Sequence, residues 1–211
     1  MTDNPRRIDD GAVDVAATVE TYAADAERFV EEYRDWSLTS LHGDAFRAAL
    51  PDPDDRPPRV LDVGFGPGAD AAVFADAGLD TLGLDVTRPF VREAYEDVSA
   101  ARFVQGDMRH LPVPDRAVDG LWSSAAFLHV PRSDADSTLA EFARALPSGC
   151  PLLLSAKARE TRQQDALELP DGRRFTLWRE GPLRERLVEA GFTPEQLSEE
   201  PEWHTFLAVR D

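Results

Sequence analysis

The chain has one cysteine among 211 residues, Cys150, so it forms no intrachain disulfide and no cysteine-based zinc cluster. A reducing compartment is enough for it, and its place before "PLLLSA" marks the start of a buried strand. Basic residues are also scarce: 23 arginines and lysines stand against 40 acids, a formal charge of −17, and Lys157 is the only lysine. Clustered bases able to neutralise phosphates are missing, which argues against a nucleic-acid partner. Carboxylates in such excess stay hydrated in concentrated salt, so the composition reads as halophilic and reports on the solvent more than on a partner. No segment approaches the roughly 20 apolar residues that span a bilayer, and the opening "MTDNPRRIDD" lacks an apolar signal core. The expectation is a cytoplasmic protein with no membrane partner. His42, His110 and His204 show no ligand spacing, so no metal is expected.

What is present fills one core: 42% hydrophobic residues over this length predict a single domain spanning 1–211. Val15, Val19, Tyr22, Ala26, Phe29 and Tyr33 recur at spacings of three and four, one helical stripe, and a second helix covers Leu38 to Leu50. Residues 1–50 thus read as a helical cap. The acidic, proline-rich "PDPDDRPP" at 51–58 is a linker into a Rossmann-like core over 59–211. There "RVLDVG", "TLGLDV", "ARFVQGD", "VDGLWSS" and "PLLLSA" are strands separated by helices, Ser133 is placed to cap one of those helices, and "FTPEQLS" and "EWHTFLAVR" close the fold as a hairpin. Such alternation predicts an α/β fold, a doubly wound, mostly parallel sheet whose ligands sit beyond the carboxyl ends of the strands.

Asp62, Asp85 and Asp107 fall at the ends of the first three of these strands, which gathers three carboxylates on one rim. The loop "GFGPGA" lets a backbone approach a ligand and aims a helix amino terminus at it, yet Gly64, Gly66 and Ala69 equally satisfy a dinucleotide pattern. Asp85, 21 residues beyond Gly64, suits a ribose diol in either case. "QGDMRHLP" favours S-adenosylmethionine, because Asp107 can accept from an adenine amine while Met108 packs on the ring. Asp62 points the same way: a carboxylate beside the glycine turn suits the ammonium of an amino-acid tail and repels a pyrophosphate.

Taken in order, "VLDVGFGPG", "LGLDV", "QGDMRHLP" and "VDGLWSSAAFLHVP" resemble the class I S-adenosylmethionine-dependent methyltransferases of the small-molecule type, over about residues 15 to 209. The resemblance implies a seven-stranded sheet with the last strand antiparallel. It implies that Gly64, Gly66 and Gly68 underlie the methionine tail, with Asp62 near its ammonium group and Phe65, where the family most often has cysteine, packing beneath. Asp85 would hold the ribose hydroxyls, Asp107 the adenine amine, and Val86 and Met108 the adenine faces. Ser123 falls where the family lines the sulfonium side, and Tyr22 where a tyrosine closes over the cofactor, although core packing serves Tyr22 equally well.

His129 in "FLHVP" follows the fourth strand, where a neutral imidazole either takes a proton from an acceptor or merely positions it. Little else is required of side chains, since in-line positioning and exclusion of water supply most of the acceleration of methyl transfer from a sulfonium. No amino-methylating Asn/Asp-Pro-Pro-aromatic run and no Pro-Cys nucleophile follows the fourth strand, so the expected acceptor is a small molecule offering O, N, S or C, with a protein substrate as the alternative. The segment 157–180, rich in Lys157, Arg159, Arg162, Arg173 and Arg174, reads either as surface charge neutralisation or as a lid whose Arg173 and Arg174 grip an anionic acceptor while Phe175 and Trp178 pack on its apolar part. Two rivals use the same residues: an NAD(P)-dependent oxidoreductase and a non-catalytic S-adenosylmethionine-binding protein.

Overall fold

A computed structural model of the chain describes residues 5–9, 13–158, 165–198 and 202–211. Its centre is β2 (Arg59–Val63), flanked in parallel by β3 (Asp80–Asp85) on one side and β5 (Gly120–Ser123) on the other. Beyond β3 lies β4 (Arg102–Gln105), and beyond β5 lies β6 (Pro151–Lys157), also parallel. The strand order therefore reverses between β2 and β5, and it is outside the carboxyl ends at such a point that open α/β sheets bind ligands. The expected closing hairpin is present: β10 (Trp203–Arg210) runs antiparallel between β6 and β9 (Phe192–Ser198), completing seven strands.

Side-chain alternation along the strands feeds two cores. Leu61 and Val63 pack with Leu139 and Phe142 of α6 (Ala135–Ala145) and with Leu183 and Leu187 of α7 (Glu180–Glu189). Val60, Trp122 and Leu153 face the other way, onto Phe46 of α3 (Thr39–Ala49) and Phe74 of α4 (Ala69–Asp76). The Phe46 and Phe74 rings stand 5.1 and 5.0 Å from the Trp122 ring, edge to face. A third cluster joins the cap to α5 (Arg88–Asp97), with Phe29, Val30, Phe65 and Phe90 buried together. Residues 51–58 link α3 to β2 without helix or strand.

Three sequence expectations are corrected. The amino-terminal stripe is not one helix but two, α1 (Val15–Ala24) and α2 (Ala26–Tyr33), parted at Asp25, whose φ of −132° and ψ of 39° are not helical. The break has a packing reason: seven residues of straight helix would separate Tyr22 from Phe29 by about 10 Å, whereas their rings lie 4.7 Å apart. Ser133 does not cap α6, because it sits in a short 3-10 turn and hydrogen-bonds Asp134, the residue that actually precedes the helix. Finally, the cap over residues 1–50 is not wholly helical: β1 (Arg6–Ile8) joins β7 (Ala166–Glu168) and β8 (Arg174–Thr176), from the connection after β6, in a second, antiparallel sheet.

Because Phe46 is fully buried and ties the cap to the sheet, Phe46→Ala should cost about 3–5 kcal/mol of stability. Urea unfolding measures this, and a loss below about 1 kcal/mol would mean that α3 is not anchored by this ring.

Candidate active site

A cavity of about 490 Å³ opens beyond the carboxyl ends of β2, β3 and β4 and is covered by α1 and the β7–β8 hairpin. Its floor is the turn after β2, where Gly64, Gly66 and Gly68 have φ of 71°, 55° and 94°, a left-handed run that side chains other than glycine's adopt at a cost. A Cβ on Gly64 would come within 2.4 Å of the Ala126 Cβ, and one on Gly66 would meet nothing within 4 Å, because it would project into the open space of the cavity. Gly68 does not line the cavity; it precedes α4 and turns that helix's first N–H groups toward the loop.

The three acids do reach this rim, in three different states. Asp62 is 1% exposed and its Oδ2 has no hydrogen-bond partner; burial first, then the nearby Asp70 and Asp85, push its carboxyl well up. Asp70, which also lines the cavity, differs in being bonded by the Trp122 indole N–H at 2.7 Å and by Ser37. Asp85 ends β3, and its two oxygens accept from the Thr87 and Gly66 N–H groups at 2.7 and 3.0 Å. Burial pushes it up to about 6, against those hydrogen bonds. Asp107, two residues past β4, is gripped by Arg109, whose Nε and Nη2 donate to it at 3.0 and 2.7 Å while Nη1 reaches Asp134 at 2.8 Å. Partial burial would raise Asp107, but this guanidinium holds it below the usual carboxylate range. Val86, Met108 and Phe65 line the cavity between these acids.

Opposite the acids lies a second group. Tyr22 Oη and His129 Nε2 are 3.2 Å apart, with the rings perpendicular. Burial pushes the Tyr22 hydroxyl up to about 12 and the His129 imidazole down to about 4, the latter helped by the Arg173 charge, so near neutral pH the imidazole is uncharged and the phenol protonated. That protonation pattern lets Tyr22 donate to Nε2. Arg173 is 9% exposed; its Nε donates to Asp171 at 2.9 Å, its Nη1 to Tyr22 Oη at 3.4 Å, and its guanidinium lies 4.7 Å from the Phe29 ring centroid. Phe175 sets its ring 5.2 Å from that of His129.

Besides Gly68, three residues expected here are elsewhere. Ser123 is fully buried inside the sheet and does not line the cavity; Ser124 and Ala125 do, Ala125 in the left-handed region at φ 48°. Arg174 pairs with Glu168 at 2.8 Å across the small sheet, and its N–H bonds Thr18, because neighbouring residues of a strand point to opposite faces. Trp178 is fully buried against Phe127 in the main core. Arg159 and Arg162 lie outside the described residues. Sequence reasoning missed Arg109, although its place two residues after Asp107 is a recognisable turn spacing, and it missed Tyr33, Trp36, Leu169 and Trp203, which line the same cavity. Among the described residues no helix is long and apolar enough to cross a membrane.

Residues 60–149 match a family described as a methyltransferase domain. A malonyl-[acyl-carrier protein] O-methyltransferase of Pseudescherichia vulneris is 38% identical over 71 residues, 34% of this chain and 28% of that enzyme, so the aligned stretch spans under a third of that relative. An uncharacterized methyltransferase of Geobacillus kaustophilus is 25% identical over 74% of this chain and 72% of its own length. Among solved structures, the Burkholderia thailandensis 1,6-didemethyltoxoflavin-N1-methyltransferase, with bound 1,6-didemethyltoxoflavin and S-adenosylhomocysteine, superimposes with a TM-score of 0.71 at 19% identity, covering 98% of this chain and 95% of that one.

Asp85 also sets a pH dependence. Its folded value near 6 lies above the ordinary 3.8, so between these values the folded protein keeps a proton that the unfolded chain has released, and stability falls as pH rises through the window. The ligand-free protein should lose about 2–3 kcal/mol from this source between pH 4 and 7. Urea unfolding across that range should therefore be flatter in Asp85→Asn, and parallel curves would assign the loss to other groups.

Proposed function

We propose that the chain is a class I S-adenosylmethionine-dependent methyltransferase, which moves a methyl group from S-adenosylmethionine to a nucleophilic O, N, S or C atom of a small molecule; the match of residues 60–149 to a methyltransferase domain supports this. The observation that carries this reading is the convergence of Asp62, Asp85 and Asp107 with the glycine turn on one cavity. The donor set fits the cofactor. Asp62 has a buried oxygen without a partner, which an ammonium group would satisfy while drawing the carboxyl into its ionised form. Asp85 lines the cavity at the end of β3, where its carboxylate, oriented by the Gly66 and Thr87 N–H groups, is assigned to the ribose hydroxyls. Asp107, oriented by Arg109, is assigned to the adenine amine, with Val86 and Met108 against the ring faces, Phe65 packing below the turn and Tyr22 closing over the site. The bare backbone of Gly66 leaves room for the methionine tail.

When bound, S-adenosylmethionine supplies a sulfonium-activated methyl group, and what the chain must add is alignment and a dry cavity. The Phe29, Phe65 and Phe90 cluster behind Tyr22 contributes the dryness. His129 serves as a positioning residue: its Nε2 lone pair is occupied by the Tyr22 hydroxyl, and an imidazole pushed down to about 4 is a poor proton acceptor at neutral pH. A nicotinamide dinucleotide fits less well, since a buried carboxyl stands beside the turn that would carry its pyrophosphate.

Labelled S-adenosylmethionine incubated with the protein and a metabolite extract in high-salt buffer should yield a labelled small product. Tight binding of NAD(P) with indifference to S-adenosylhomocysteine would overturn the proposal, and tight S-adenosylhomocysteine binding with no product from any acceptor would favour a non-catalytic binding protein. Asp85→Ala should weaken S-adenosylhomocysteine binding by about 1.5–3 kcal/mol in calorimetry while a cooperative melting transition persists. An unchanged affinity in a folded variant would remove Asp85 from the site.

A further inference from the structure

The half of the cavity that the acids do not line has its own chemistry. Val19, Leu128, Leu169 and Phe175 make its walls apolar, and Trp36 and Trp203 stand at its edge, the first 48% exposed. Into this apolar chamber one buried cation is set. Arg173 sits at the inner end between Tyr22, Tyr33 and Phe175, and of its five N–H groups one is given to Asp171, one to Tyr22 and one to Tyr33, which leaves two.

Asp171 pairs with Arg173 at 2.9 Å, and Arg28, 3.7 Å from the same carboxylate, is itself paired with Asp25. Two guanidinium groups thus meet two carboxylates, and what Arg173 still offers beside the apolar wall is its two uncommitted N–H groups rather than a surplus charge. Hydrogen bonds from a guanidinium to an ionised acceptor are stronger than those to a neutral one, and the planar fork suits a carboxylate. The other ionic pair at this end, Lys157 with Glu202 at 2.6 Å, is already neutral and lies beside Trp203.

Resting on the methyltransferase reading above, we propose that the acceptor is a monoanionic carboxylic acid with a compact apolar or aromatic body, its carboxylate held by Arg173 and its ring between Phe175 and the aliphatic wall. A carboxylate accepts from the two remaining N–H groups while adding a single negative charge. A dianionic phosphate would add two, in a cavity that already holds Asp62, Asp70 and Asp85. Arg174 takes no part, since it is committed to Glu168.

The test uses the protein saturated with S-adenosylhomocysteine and titrates benzoate, phenylacetate and indole-3-acetate against their primary amides and against phenyl phosphate, by calorimetry. At least one carboxylate should bind about tenfold or more tighter than its amide and tighter than phenyl phosphate, as expected for a charged against a neutral hydrogen-bond partner. In Arg173→Gln that ratio should collapse toward one, and Arg173→Lys should restore part of it. Equal affinities for acid and amide, no measurable binding of any of the three carboxylates, preference for phenyl phosphate, or discrimination that survives Arg173→Gln would each overturn the inference. If Arg173→Gln does not fold, the wild-type ratio and Arg173→Lys decide. Titration of S-adenosylhomocysteine into the ligand-free wild-type protein separates the two readings: binding there with no carboxylate preference sinks only this inference, whereas no binding there sinks the cofactor assignment itself.

Discussion

The turn leaving β2 is a steric constraint on which the rest of the site depends. Gly64 donates its N–H to Leu84 O at 2.7 Å and packs so closely on Ala126 that a single methyl group would collide with it. That contact brings the segment after β5 against the segment after β2, across the point where the strand order reverses. Two residues on, the Gly66 N–H anchors the Asp85 carboxylate, so the same turn also fixes the end of β3. Three strands are thus registered at their carboxyl ends by one stretch of left-handed backbone, and the cavity takes its shape from their meeting.

Electrostatics divides the cavity into three zones. At the glycine turn, burial outweighs compensation and Asp62 and Asp85 are driven upward, which makes them responsive to any cation or hydroxyl that enters. At Asp107 the balance is reversed by the Arg109 clamp, giving an acid that stays ionised and oriented. Across the cavity Arg173 is paired with Asp171, and the uncharged His129 and Tyr22 beside it exchange a hydrogen bond rather than a charge. The strongly acidic surface of the chain has little bearing on this inner pattern, since exposed charges act weakly through solvent while these groups are shielded from it.

Much of this was legible in the sequence, and the exceptions have physical causes. The strands β2, β3, β5 and β6 are apolar runs with glycine punctuation, so their order, and the acids at or near the ends of the first three parallel strands, followed from pattern alone. The break at Asp25 was invisible because the apolar stripe continues across it; the reason for it lies in the distant contacts of Tyr22 and Phe29. The second sheet was missed because β1, β7 and β8 have three residues each, too few for a period to register, and "RRI" looks like solvent-exposed charge. For Arg173, Arg174 and Phe175 a signal existed: alternation in an extended segment puts the first and third on one face and the second on the other, and it is the first and third that line the cavity. Trp178 was misplaced because an aromatic in a polar connection looks available, whereas its bridge to Ala158 draws it into the core.

The position of β10 has a bearing on how the protein is made. It is the last of the seven strands in chain order, yet it lies inside the sheet, with Phe206 opposite both Leu154 and Gln196. A ribosome therefore releases β6, all but its last residue destined for burial, and later β9, before the strand that separates them exists. Until it emerges, the apolar edge of β6 is open to pairing with a neighbouring nascent chain, the kind of exposed edge on which aggregation begins. Contacts that span some fifty residues also form late and slowly. Translation speed through the stretch between β6 and β10, and the presence of a holding chaperone during it, should thus govern the yield of folded protein more than any change on the outer surface.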